Sequence, residues 1–214
     1  QDKALLAMTI GQAFDNTVAH YPTGEALVVR HQQLRYTWQQ LADAVDLHAR
    51  ALLALGLQTG DRLGIWAPNC AQWCISQFAS AKIGVILVNI NPAYRSSELE
   101  YVLKQSGCQW LVSAGAFKTS DYHAMLQGLV PELAEQAIGK LHSERLPDLR
   151  GVVSLDAQPP AGFLPWSQLS ELAGSVSVEQ LHERQNSLHF DQAVNIQYTS
   201  GTTGFPKGAT LSHY

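Results

Sequence analysis

No apolar stretch in this chain is long enough to cross a bilayer. The longest, Ile83 to Val88, covers six residues, where a spanning helix needs about 20. Basic charge is also short. Lys and Arg number 14 against 18 Asp and Glu, for a net charge of −4 and a pI near 6.0, so the basic face that nucleic-acid binding requires is missing. Three cysteines, an odd number, point to reduced thiols in the cytoplasm rather than to a disulfide framework. The N-terminus has no basic region ahead of a continuous apolar one, so no signal peptide is expected there. The first residue is Gln1 rather than Met, and an upstream segment is expected. Internal repeats and low-complexity tracts are absent as well. What remains is a chain of 214 residues, enough to bury a sizeable core in one or two compact units.

The patterning is α/β. Ile10 to Tyr21 has apolar helical spacing and is closed by Pro22. Ala26 to Val29 and Leu34 to Tyr36 predict a β-hairpin around His31, Gln32 and Gln33. Thr37 with Gln40 forms a capping-box pattern, and Leu41, Val45, His48, Leu52 and Leu55 keep helical spacing as far as Gly56. A strand follows at Arg62 to Trp66, then a helix capped by Asn69 and Gln72 that ends near Gly84, then a strand at Val85 to Val88. Ser97 with Glu100 predicts the next helix start, and Gln109 to Val112 the next strand. A helix around Met125 to Leu133, interrupted by Pro131, precedes a strand at Val152 to Leu155 and a loop marked by Pro159, Pro160, Gly162 and Pro165. Strands alternating with helices predict a doubly wound, largely parallel sheet flanked by helices.

The densest chemistry lies at the far end. Ala193 to Tyr198 (AVNIQY) reads as a strand that runs into Tyr198–His213, YTSGTTGFPKGATLSH. From Thr199 to Gly208 there are four hydroxyl side chains, three glycines and one lysine. Glycines allow a turn tight enough to aim several backbone N–H groups at one point, a concave anion site. Thr199, Ser200, Thr202 and Thr203 add hydroxyl donors, and Lys207 adds a point charge able to follow a phosphate. The composition of a flexible linker is similar, but Pro206 and Gly208 bracket the lysine and apolar runs flank the loop. The pattern is a cradle for polyphosphate.

A Walker A loop opens a helix directly after its lysine. Here Gly208 follows Lys207, and Ala209 to Leu211 predict a second short strand, so the unit is strand–loop–strand. No G-x-G is present, which removes the dinucleotide-binding fold.

YTSGTTGFPKG followed by LSH resembles the phosphate-binding signature of the adenylate-forming superfamily, which holds acyl-CoA synthetases, adenylation domains and firefly-type luciferases. TWQQLADAV at Thr37, GDRLGIWAPNCAQW at Gly60, NINPAYRSSELEYVLKQSGC at Asn89 and SERLPDL at Ser143 resemble the fatty-acyl-CoA synthetases within it. The similarity runs from about the tenth residue to the end and is greatest to the medium-chain branch typified by acyl-CoA synthetase family member 2.

The resemblance implies an acid–thiol ligase. A fatty carboxylate attacks ATP to give an acyl-adenylate and pyrophosphate, and coenzyme A then takes the acyl group. It places Thr199, Ser200, Gly201, Thr202, Thr203, Gly204 and Lys207 at phosphate-binding positions. It also implies Mg2+ held by a later glutamate, a later aspartate on the ribose, and a catalytic lysine in a C-terminal domain. Residues 1–214 are therefore expected to be the N-terminal part of the large AMP-binding domain, with no catalytic residue of their own and no activity alone. Two alternatives share the loop: an adenylation enzyme for an aryl acid or for carrier-protein loading, and a non-catalytic nucleotide-binding truncated synthetase.

Other candidates weigh less. Cys70 and Cys74 sit at helical spacing without further ligands, so packing outweighs a metal pair. His182 and Glu183 begin a zinc-protease pattern, but Asn186 stands where the second histidine belongs. His213, next to Ser212 where a helix is expected to start, is read as a local capping or packing residue. The tryptophans at 38, 66, 73, 110 and 166 are read as core or edge aromatics.

Overall fold

The structure is a computed structural model that describes residues 6–199 and 206–214. Helix α1 (Ile10–His20) begins at Thr9, whose hydroxyl accepts the Gln12 N–H while the Gln12 side chain accepts the Thr9 N–H. Strands β1 (Glu25–Val29) and β2 (Leu34–Thr37) form the expected hairpin, joined by a 3-10 turn at Arg30–Gln32. The capping box at Thr37 and Gln40 is present and starts α2 (Trp38–Ala54), whose Leu41, Val45, His48 and Leu52 are buried. Then come β3 (Arg62–Trp66), α3 (Ala71–Ile83), β4 (Ile86–Asn89), α4 (Ser96–Ser106) and β5 (Cys108–Ser113). A small hairpin, β6 (Ala116–Phe117) with β7 (Ser120–Asp121), leads to α5 (Tyr122–Leu129). After it lie β8 (Gly151–Ser154), β9 (Leu164–Pro165), α6 (Leu169–Ala173), α7 (Val178–Asn186), β10 (Ala193–Thr199) and β11 (Lys207–Ser212).

Seven strands form one sheet in the order β11-β10-β4-β3-β5-β8-β9, all parallel except β11. Period-two alternation splits its side chains between two cores. Leu63, Ile65, Leu87, Val112 and Val153 face one cluster with Leu41, Val45 and Leu52 of α2 and Ile75 and Ile83 of α3. Trp66, Val88, Leu111 and Val152 face the other, with Leu99, Val102 and Leu103 of α4 and Leu126 of α5. Both faces are covered, so the strands can be apolar on both sides. The expected doubly wound α/β architecture is the one observed. The buried tryptophans are Trp66 and Trp110, while Trp38, Trp73 and Trp166 are partly buried against the first cluster.

Several boundaries move. The N-cap of α3 is Cys70, not Asn69, and its side chain makes no cap bond. The Ala71 N–H is taken instead by the Gln32 side chain at 2.7 Å, so the β1–β2 hairpin caps the helix from outside. At α4 the expected Ser97–Glu100 pair is not the cap. Arg95 is the N-cap, the Glu98 carboxylate accepts its N–H, and Glu100 pairs with Arg145 at 2.7 Å. Helix α5 stops at Leu129, and Pro131 opens a separate 3-10 turn, as a proline without an N–H can. The loop expected around Pro165 contains β9. Helix α6 and helix α7 had no sequence expectation, although Ser177 and Gln180 form a capping box that marks the start of α7. At Gly162, φ is +89° and a Cβ would lie 1.7 Å from the Leu133 carbonyl oxygen, so only glycine fits that turn.

Candidate functional site

The last two strands position the candidate loop. β10 lies parallel to β4, with Asn195 opposite Leu87, Ile196 opposite Val88 and Gln197 opposite Asn89. Its carboxyl end therefore emerges at the edge where the carboxyl ends of β3, β4, β5 and β8 also lie. Open parallel sheets bind ligands at that edge. β11 returns antiparallel and pairs Lys207 with Thr199 and Gly208 with Tyr198. The two strands expected on either side of the loop are present, and the second begins two residues earlier than Ala209.

The register of β10 is pinned by amides. The Asn195 side chain, 4% exposed, donates to the Leu87 carbonyl at 2.9 Å and to the Asn89 side-chain oxygen at 3.2 Å. Gln197 donates to Asn195 in turn at 2.6 Å. A one-residue slip would reverse the face of every β10 side chain and leave a buried amide unpaired. Apolar alternation does not account for a polar residue at this depth.

Tyr198 fixes the strand from the other side. Its ring lies over Gly208, where a Cβ would come within 3.1 Å. Its hydroxyl donates to Gln105 of α4 at 3.0 Å, and Gln105 donates to the Tyr101 hydroxyl at 2.9 Å. Burial pushes the Tyr198 phenol up to about 12, so it stays a donor at neutral pH. Gly208 thus serves to admit the tyrosine ring.

Of the seven sequence-predicted site residues, Thr199 and Lys207 are brought opposite one another at the base of the loop, both exposed. Ser200, Gly201, Thr202, Thr203 and Gly204 lie outside the described residues. His213 does cap a helix, but a distant one. Ser212 is the last residue of β11, and the His213 Nδ1 accepts the N–H of Ile10, the first residue of α1, at 3.0 Å. Cys70 and Cys74 are half-buried, and burial raises both thiols. Among the described residues no three His, Cys, Asp or Glu side chains converge as a metal site.

The two described site residues offer a hydroxyl and an ammonium, hydrogen-bond donors suited to charge neutralisation rather than to acid–base work.

A profile of the AMP-binding enzyme family matches residues 14–214. The mouse protein "Medium-chain acyl-CoA ligase ACSF2, mitochondrial" is 46% identical over 213 residues, covering 100% of this chain and 35% of its own length. The chain thus spans about a third of the length of that relative. Among solved structures, the inhibitor-bound N-terminal domain of FACL13 from Mycobacterium tuberculosis superposes with a TM-score of 0.73 at 22% identity, covering 96% of this chain and 44% of that one. The apo structure of MbtA from Mycobacterium smegmatis gives 0.77 at 22%, covering 97% and 34%. These two likenesses show the fold. With the family profile spanning almost its whole length, the chain belongs to the AMP-binding enzymes.

Proposed function

We propose that this chain is the phosphate-binding portion of an ATP-dependent, AMP-forming acid–thiol ligase, a fatty-acyl-CoA synthetase. The carrying observation is the pairing of Thr199 with Lys207 at the base of a hairpin that emerges from the carboxyl edge of the sheet. The 46% identity to a medium-chain acyl-CoA ligase supports the acid class.

Adenylation sets a weak carboxylate nucleophile against a highly anionic triphosphate. The barrier falls when the phosphates are held in line and their charge is neutralised. The hydroxyl of Thr199 donates to phosphate oxygens from the end of β10, the strand paired with β4. Lys207 supplies the cation from the opposite strand and can stay with the pyrophosphate as the bond to the α-phosphorus breaks. Ser200, Gly201, Thr202, Thr203 and Gly204 complete the cradle in this reading. Each charge-assisted hydrogen bond contributes about 1.5–3 kcal/mol. The acyl-adenylate then meets the thiol of coenzyme A, which takes the acyl group and releases AMP. When bound in the complete enzyme, Mg2+ shields the triphosphate charge.

In this reading residues 1–214 are the first part of the large AMP-binding domain and do not complete turnover alone. The partners are small molecules: fatty acid, ATP and coenzyme A. Among the described residues no helix is long and apolar enough to cross a membrane. The three unpaired thiols Cys70, Cys74 and Cys108 fit a reducing, cytoplasmic location. The mouse relative's name places that protein in mitochondria, and cell fractionation decides between the two.

The test is acid-dependent ATP–pyrophosphate exchange by the complete enzyme, with octanoate beside benzoate and a carrier protein. Exchange with octanoate, followed by octanoyl-CoA formation, is expected. Exchange with benzoate alone, or loading of the carrier without coenzyme A turnover, would assign another branch. Nucleotide binding without any exchange would make the chain a binding module.

A further inference from the structure

Between β4 and α4 the chain runs Ile90, Asn91, Pro92, Ala93, Tyr94, Arg95. Asn followed by Pro favours a tight turn, because the ring presets φ at the second position and the Asn side chain can bond the backbone two residues on. The turn is built that way. The Asn91 carbonyl accepts the Tyr94 N–H at 3.1 Å, and the Asn91 side-chain oxygen accepts the Ala93 N–H at 2.9 Å.

Two buried aromatics hold this turn from beneath. Trp66 ends β3 and Tyr122 begins α5, and neither has exposed surface. Their rings stack with centroids 3.5 Å apart and planes 3° from parallel. The Trp66 Nε1–H donates to the Asn91 carbonyl at 3.2 Å, and the Tyr122 hydroxyl donates to the next carbonyl, that of Pro92. One stacked pair thus grips successive carbonyls of one turn. Buried indole and phenol donors need acceptors. Both take theirs from a turn whose Asn91 and Ala93 are exposed, where water could satisfy the carbonyls instead.

The turn lies next to the candidate loop. β4 and β10 are parallel neighbours, and Gln197 is opposite Asn89. Two places further on, Thr199 leaves β10 level with Asn91, one strand spacing of about 4.8 Å away. On the α4 side, Tyr94 of the turn and Tyr198 of β10 pack against the cluster that contains Trp66 and Tyr122.

We propose that Trp66 and Tyr122 are positioning residues for adenylation: through the Asn91–Tyr94 turn they fix the wall beside which Thr199 meets the triphosphate. Both are buried and act through the turn. The inference rests on the ligase reading and adds to it what keeps the loop's neighbour in place. In-line transfer at phosphorus tolerates little misalignment, and a displacement near 1 Å can cost about a hundredfold in rate. A turn tethered by two further donors has less room to swing than one held by its own Asn side chain.

The experiment measures acid-dependent ATP–pyrophosphate exchange by the complete enzyme with octanoate, at a temperature where each variant is folded. Tyr122→Phe keeps the stack and removes the hydroxyl bond alone. It is expected to lower kcat about tenfold while the KM for ATP stays within about twofold, because the loop still binds the phosphates. Ile83→Val trims the other core and is expected to keep the wild-type kcat despite a lower unfolding midpoint. A kcat for Tyr122→Phe within about twofold of wild type overturns the proposal. An equal fall of kcat in Ile83→Val overturns it too, since the effect would then be one of stability. Should Tyr122→Phe fail to fold, Trp66→Phe, which keeps a ring and removes the indole N–H, decides by the same criteria. A wild type without exchange defeats the ligase reading and this proposal together; exchange in the wild type that Tyr122→Phe matches defeats the proposal alone.

Discussion

His213 and Ile10 are joined across 203 positions of sequence: the Nδ1 of one accepts the backbone N–H of the other at 3.0 Å. The residue that leaves β11 thereby satisfies one of the orphan donors at the start of α1, and Thr9 satisfies another. The acceptor must be an unprotonated nitrogen. Both burial and the positive end of the helix oppose an imidazolium there. His213→Ala should therefore destabilise the folded protein by about 1 kcal/mol, the usual cost of losing a cap. Urea unfolding measures it, and a midpoint equal to wild type would show that the contact contributes nothing.

The same chemistry sets a pH dependence. Burial lowers the folded pKa of His213 below 6.5, and that of His48, enclosed between α2 and α3, to about 3. The unfolded chain then binds more protons than the folded one at mildly acidic pH. Stability from these groups is complete above pH 6.5 and is lost as pH falls from 6.5 toward the folded values. Each histidine contributes a slope of up to about 1.4 kcal/mol per pH unit. Denaturation midpoints measured from pH 7.5 to 4.5 should fall with acid, and His213→Gln should flatten the upper part of that decline.

Lys207→Ala in the complete enzyme should reduce ATP–pyrophosphate exchange by at least about tenfold, from the loss of one charge-assisted contact. Its side chain is exposed and lies outside both hydrophobic clusters, so the unfolding midpoint should hardly move. A large loss of stability with normal exchange would reverse the assignment.

Gly162→Ala should be among the most damaging small substitutions, costing more than about 3 kcal/mol. Its positive φ disfavours any side chain, and the obstruction is backbone: the added Cβ would meet the Leu133 carbonyl at 1.7 Å. Thermal unfolding of the variant checks this, and a Tm within a few degrees of wild type would count against it.

The sequence made the alternation of strands and helices legible because local signals agreed with tertiary burial. Thr37 and Gln40 cap α2 as written, and Arg62 to Trp66 is a strand to the residue. Misplaced boundaries were those set from a distance. Nothing local to Ala71 says that Gln32, on a hairpin 39 residues earlier, will cap α3. Ser97 and Glu100 fit a cap pattern, yet Glu98 takes that position because Glu100 is drawn to Arg145 from beyond α5. At the site, the sequence suggested two strands flanking a loop, but Lys207, read as part of that loop, begins β11 opposite Thr199. The supports were not legible. Asn195 and Gln105 matter through partners on other elements, which periodicity does not encode.

Thr199 and Lys207 face each other from adjacent strands. β10 is held by β4 on one side and by β11 on the other, and the buried Asn195 amide ties it to the Leu87 carbonyl of β4 at 2.9 Å. Lys207 is set in turn by its pairing with Thr199. The hydroxyl therefore takes its address from the frame of the sheet, and the ammonium takes its address from the strand that carries the hydroxyl. A change that shifts β10 would carry both groups with it.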